Sequence, residues 1–178
     1  MKTFEFSVIA SGLDPLAKDF ESRFYDSGCD DALVSFQKGH IIVDFAREAE
    51  TFEDALASAL ENVASTGAHI DRLEPDPLVS LSDIAKRAAM TRAAVSNYYR
   101  GQRGQAFPPP VARITSDSPL WEWSAVAQWL ACNGKLAPSV ALEAETIRQA
   151  NLAVARGDTH IGPMLRQRAK EHEEQLCA

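Results

Sequence analysis

The sequence predicts an α+β chain, and three observations carry that expectation. Over residues 1–76, alternating apolar segments and amphipathic stretches follow one another in the order β-α-β-β-α-β. From Ser80 to Tyr99 the pattern changes to two short helical periods joined by a tight turn. A proline-rich extended stretch, a returning alternation and further helical stretches then close the chain. With 178 residues, 46% hydrophobic and 24% charged, and no low-complexity tract or solenoid-like repeat, the chain has material for a packed core in one or two domains.

Phe4 to Ile9 places Phe4, Phe6 and Val8 on one face of a strand. Asp14 and Pro15 suit the N-cap and first turn of a helix, with Leu16, Phe20 and Phe24 as its apolar stripe and Ser27-Gly28 as its stop. Ala32–Gln37 and His40–Ala46 read as strands around Lys38-Gly39, a tight hairpin turn. Thr51 caps a helix with Asp54 three residues on, and Phe52, Leu56, Leu60 and Val63 face inward. Gly67 stops it, and His69–Leu73 supplies a last strand. That order is the order of a ferredoxin-like sandwich, an antiparallel sheet with two helices on one face.

Glu74-Pro75-Asp76-Pro77 is a stiff linker. Beyond it, Ser82 is positioned to cap a helix carrying Ile84 and Ala85, and Thr91 to cap a second one running to Arg100 with Val95 and Tyr98 inward. Met90 completes the apolar set, with small Ala85 at the crossing, in the register of a helix-turn-helix. The turn position, commonly Gly, falls at Ala89 and calls for a left-handed residue. Thr91, Arg92, Ala93, Ser96 and Asn97 then face outward at the start of the second helix, where such a helix meets base edges in a major groove. Lys86, Arg87, Tyr99, Arg100, Arg103 and Arg113 are candidates for phosphate contact. An ordinary helical hairpin would give the same local pattern.

After the polar loop Gly101–Gln105, Phe107-Pro-Pro-Pro110 forces an extended chain. Val111–Thr115 and Leu120–Trp123 suit the two strands of a wing around Ser116–Pro119, and Ser124 is positioned to cap a helix to Cys132. The run "FPPPVARI…LWEWSAVAQWL" resembles the excisionase, AlpA and MerR-like branch of winged helix-turn-helix proteins over about residues 79–132. That resemblance implies DNA binding. The stretch from Phe4 to Asp76 followed by this module is also similar to a widespread bacterial family of small helix-turn-helix proteins, a resemblance that implies no activity.

The sequence thus divides into an acidic ferredoxin-like domain (1–76), a winged helix-turn-helix (77–134) and a helical tail (135–178). Pro138 opens the tail, Gly157-Asp158 interrupts it, and Pro163 starts a charged helix to about Leu176. Val140, Ala144, Ile147, Asn151 and Val154 follow a 4-3-4-3 spacing, either the seam of a dimer or a face packed back on the winged helix.

Net charge is −7, unevenly spread. Residues 1–78 hold six Lys and Arg against sixteen Asp and Glu, residues 79–131 six against three, and the remainder six against six. A mildly basic module therefore follows an acidic domain, and local charge governs phosphate binding because salt screens beyond about 10 Å.

Little points to catalysis. His40, His69, His160 and His172 fall singly, without a ligand pair, and no nucleophile elbow, phosphate-cradling loop or CxxC occurs. Asp30-Asp31 with Asp44 and Glu48 reads better as a solvated acidic edge than as an acid–base pair. The spacing of Trp121, Trp123 and Trp129 favours packing over base stacking. Cys29, Cys132 and Cys177 read as reduced thiols, the N-terminus lacks the apolar core of a secretion signal, and no stretch reaches the length of a membrane span.

The expectation is a cytoplasmic, sequence-specific regulator of transcription that binds double-stranded DNA as a homodimer on an inverted repeat. It is not an enzyme and has neither cofactor nor metal. An antitoxin-like inhibitor, its acidic domain bound to a protein partner, is the alternative. A phage-type excision factor that bends DNA is a weaker third.

Overall fold

The computed structural model describes residues 1–178. It is a mixed α+β chain with a four-stranded antiparallel sheet and seven helices, and it divides into two compact units. The first comprises residues 1–75 and 146–170, the second residues 76–145 and 171–178. The tail expected as a third segment is therefore shared between the two. No helix is long and apolar enough to cross a membrane.

In the first unit β1 (Lys2–Ser11), β2 (Ala32–Gln37), β3 (His40–Ala49) and β4 (His69–Glu74) form the sheet in the order β2-β3-β1-β4. Every neighbouring pair is antiparallel. Alternation sets the faces: Phe6, Val8, Ala10, Ile41, Val43 and Phe45 are buried, whereas Glu5, Ser7 and Asp44 point the other way. Lys38 and Gly39 both have positive φ (52° and 80°), as the two-residue hairpin turn requires.

Helix α1 (Phe20–Asp26) is shorter than the sequence suggests. The Asp14 carboxylate accepts the Leu16 N–H at 2.9 Å, and successive turns run to Phe20. Asp14-Pro15 therefore makes turns instead of starting a helix, and Leu16 is 90% exposed. Helix α2 (Phe52–Ser65) begins at the expected cap, where the Thr51 hydroxyl accepts the Asp54 N–H. Its buried stripe of Phe52, Leu56, Leu60 and Val63 covers the sheet, each residue gaining about 1.5–3 kcal/mol by leaving water.

Asp31 is not free edge charge. Arg47, 7% exposed, grips both its carboxylate oxygens at 2.8 Å and donates further bonds to the Gly28 carbonyl, Ser58 and Asn62. A buried guanidinium needs that full set of acceptors.

The proposed dimer seam is overturned. It runs along α6 (Pro138–Ala155). Ile147 and Val154 are buried in the core of the first unit, and Ala144 in that of the second, with Val140 packed against it. Asn151 bonds the backbone of Leu73. The spacing marks a buried face, and that face is satisfied within the chain. Helix α7 (Gly162–Gln175) follows; in the first unit its Arg166 donates to Asp54 at 2.7 Å.

The second unit contains β5 (Leu78–Val79), α3 (Leu81–Arg87), α4 (Arg92–Tyr99), β6 (Trp121–Glu122) and α5 (Trp123–Cys132). Its core gathers Val79, Ile84, Ala85, Val95, Trp121, Val126 and Leu130. Helix α3 is capped by Ser80, not Ser82: Ser80 and Asp83 bond each other's backbone N–H reciprocally. Cys132 and Cys177 form a disulfide across 45 residues of sequence, which corrects the expectation of three reduced thiols. The link is non-local, so spacing could not reveal it. Cys29 remains a free, buried thiol.

Candidate nucleic-acid interface

The pair α3–α4 is built around one unusual residue. Ala89 adopts φ +51°, which lets the Met90 N–H close back on the Ala85 carbonyl at 2.8 Å and ends α3 abruptly. Thr91 then caps α4 through the Ala94 N–H. Because Val95 and Tyr98 are buried, the opposite side of α4 faces outward.

On that side Arg92, Ser96 and Arg100 repeat every four residues and form one stripe, with Ala93 and Asn97 beside it. Thr91, Arg92, Ala93 and Arg100 are exposed, and Ser96 and Asn97 half-buried. The Thr91 hydroxyl accepts the cap bond and keeps its O–H to donate, and Arg92, Ser96, Asn97 and Arg100 add further hydrogen-bonding side chains on this face.

The six phosphate candidates separate. Lys86, Arg100, Arg103 and Arg113 are exposed and make no ion pair. Arg87 is different: its guanidinium lies over the Trp123 ring, 5.3 Å from the centroid, and its Nη1 is fully buried. It is a packing residue, which corrects its assignment to phosphate. Tyr99 is 43% exposed, with its ring edge-on to Trp121 at 4.9 Å.

Little of the two-stranded wing expected from the sequence forms. Only Ala112 and Leu120 bridge, and Trp121-Glu122 pairs with Leu78-Val79 instead. Pro108 to Pro110 have no N–H to donate, and Arg113 turns the chain at φ +52°. Helix α5 starts at Trp123, one residue before the expected cap, and the Ser124 hydroxyl donates to Glu145.

Sequence reasoning missed what holds the loop after α4. Tyr98, Phe107 and Trp129 make a mutual aromatic cluster with centroids 5.0–6.4 Å apart. The Trp129 indole donates to the Gln105 carbonyl at 2.9 Å. Gly104, at φ +67°, lies so close to Trp129 that a Cβ would come within 2.8 Å of the ring. Two aromatics flanking a glycine loop were the available signal. The result is a fixed loop that presents Arg103 after Arg100.

In the first unit Arg23, Arg47, Arg72 and Arg166 pair with carboxylates, whereas Arg156 is exposed and makes no ion pair. Of the histidines, His40 and His69 both approach Asp71, at 3.9 and 2.9 Å. No group of three or more His, Cys, Asp or Glu residues is arranged to hold a metal ion. No family model, curated protein or solved structure matches the chain.

Proposed function

We propose that the protein is a sequence-specific regulator that binds double-stranded DNA through α4. The observation that supports this best is the set of exposed cations free of ion pairs on α3, α4 and the following loop, Lys86, Arg92, Arg100 and Arg103, within a stretch (79–131) that carries six Lys and Arg against three Asp and Glu. We read the second unit as a winged helix-turn-helix of the excisionase, AlpA and MerR-like branch, with its wing cut to a single bridge. We read the first as a ferredoxin-like domain, on its element order and its strand order β2-β3-β1-β4. In this reading Arg92 pairs with guanine and Asn97 with adenine, each good pair contributing about 1–3 kcal/mol of discrimination. Lys86, Arg100, Arg103 and Arg113 hold phosphates, and the protein works as a dimer on an inverted repeat.

The test begins with sites selected from a random duplex pool. Arg92→Ala should weaken binding to the selected site about tenfold or more while leaving binding to random duplex nearly unchanged. Equal losses on both would move Arg92 to the phosphate set, and failure to enrich any site would remove the regulator reading.

One observation favours a second reading, an antitoxin-like inhibitor. The uncovered sheet face of the first unit carries Glu5, Asp44 and Glu74 around a depression of about 530 Å³. A stoichiometric protein partner that survives nuclease treatment would support it.

A further inference from the structure

The sheet of the first unit has two edges with opposite fates. Along β4, Asn151 occupies the edge, accepting the Leu73 N–H at 2.8 Å and donating to its carbonyl at 3.2 Å. Along β2 nothing comparable occurs. The hairpin closes on the Gln37–His40 pair, so Leu33, Ser35 and Gln37 aim their backbone groups at β3. Val34 and Phe36 therefore aim theirs outward, together with the carbonyl of Ala32, whose N–H already bonds Cys29.

Exposed edges usually carry a charge, a proline or a bulge that discourages pairing. The strand Ala-Leu-Val-Ser-Phe-Gln has none of these, and Leu33 and Phe36 are 70% and 47% exposed. Beside it lies a groove of about 360 Å³ lined by Ser22, Tyr25, Cys29, Ala32, Leu33 and Val34.

We infer that a second copy of the chain covers this edge, β2 pairing antiparallel with the partner's β2 across a twofold axis at Val34. In that register Val34 exchanges both backbone bonds with the partner's Val34, and each Phe36 N–H donates to the partner's Ala32. Phe36 lies on the buried side of the sheet, opposite Ile41, so its ring enters the groove beside the partner's Ala32. Charge selects this occupant and this register. Asp30, just before the strand, comes level with the partner's Lys38, just after it, and symmetry repeats the pair. Both residues are exposed and free of ion pairs. A register centred on Ser35 would leave Asp30 and Lys38 unmatched. The pairing joins two sheets into one of eight strands and is independent of the DNA-binding reading.

Sedimentation velocity on the full chain, without DNA, across about 1–100 µM tests it. The wild type should show a reversible dimer. Phe36→Lys should weaken it about tenfold or more, with the circular dichroism spectrum unchanged. Lys38→Asp, which keeps a residue tolerant of positive φ in the turn, should weaken it about threefold at low salt. Adding Asp30→Lys to Lys38→Asp should restore it. A monomeric wild type overturns the proposal. So does a dimer unaffected by Phe36→Lys, or a charge-swapped double variant no tighter than Lys38→Asp alone. Each of those results leaves the assignment of α4 to DNA standing.

Discussion

Asn151 completes a strand. Its side-chain amide bonds both the N–H and the carbonyl of Leu73, so a single residue of α6 stands in for a fifth strand at the β4 edge. Leu73 is fully buried, and its backbone groups have no ready access to water. Asn151→Ala should therefore cost about 2 kcal/mol, since it strands a buried donor as well as removing two bonds. Urea unfolding measures this, and a loss below about 0.5 kcal/mol would show that water replaces the amide freely.

The Ser80–Asp83 capping box makes an acid-sensitive contribution. Bonds from the Ser80 backbone N–H and then its hydroxyl hold the Asp83 carboxyl below its ordinary 3.8. The folded state thus favours the ionised form. Its contribution is complete above the unfolded pKa, near 4, and is lost as pH falls through the lower folded value. Asp83→Ala should be less stable than wild type at pH 6, and the two should converge toward pH 2.5. Urea midpoints across that range check it; parallel curves would contradict it.

The cysteines make a separate, countable prediction. Burial pushes the Cys29 thiol up to about 11, so it stays protonated and shielded. Native protein should give no reaction with a thiol reagent, denatured protein one equivalent, and denatured, reduced protein three. Reduction should also lower stability by about 3–4 kcal/mol, the loop-closure value for a link of this span.

Local chemistry was legible in the sequence where one residue type has one use. Thr51 and Thr91 cap the helices expected of them, Lys38-Gly39 makes its turn, and Ala89 takes the left-handed conformation its position demands. Ser80 and Ser82 both precede α3, and only the reciprocal bond with Asp83 distinguishes them. Burial was legible without its partner: the 4-3-4-3 spacing on α6 marks an apolar face, but one sequence does not say which surface covers it. Arg47 inside the core, Arg87 on Trp123 and the Cys132–Cys177 link all depend on residues distant in sequence, beyond what periodicity carries. In the candidate interface, Arg92, Ser96 and Asn97 were found by helical spacing, whereas the Gly104–Trp129 contact that fixes the neighbouring loop was not.

The most direct test of DNA binding by the α3–α4 face is the salt dependence of affinity for a selected duplex, read by fluorescence anisotropy. With Lys86, Arg100, Arg103 and Arg113 on phosphates and Arg87 held by Trp123, the slope of log K against log salt should be about −3 to −4 per protomer. Arg100→Ala should reduce its magnitude by about 1, and Arg87→Ala should leave it unchanged wherever the fold survives. A slope near zero, or no measurable binding at low salt, would contradict the assignment of this face to DNA.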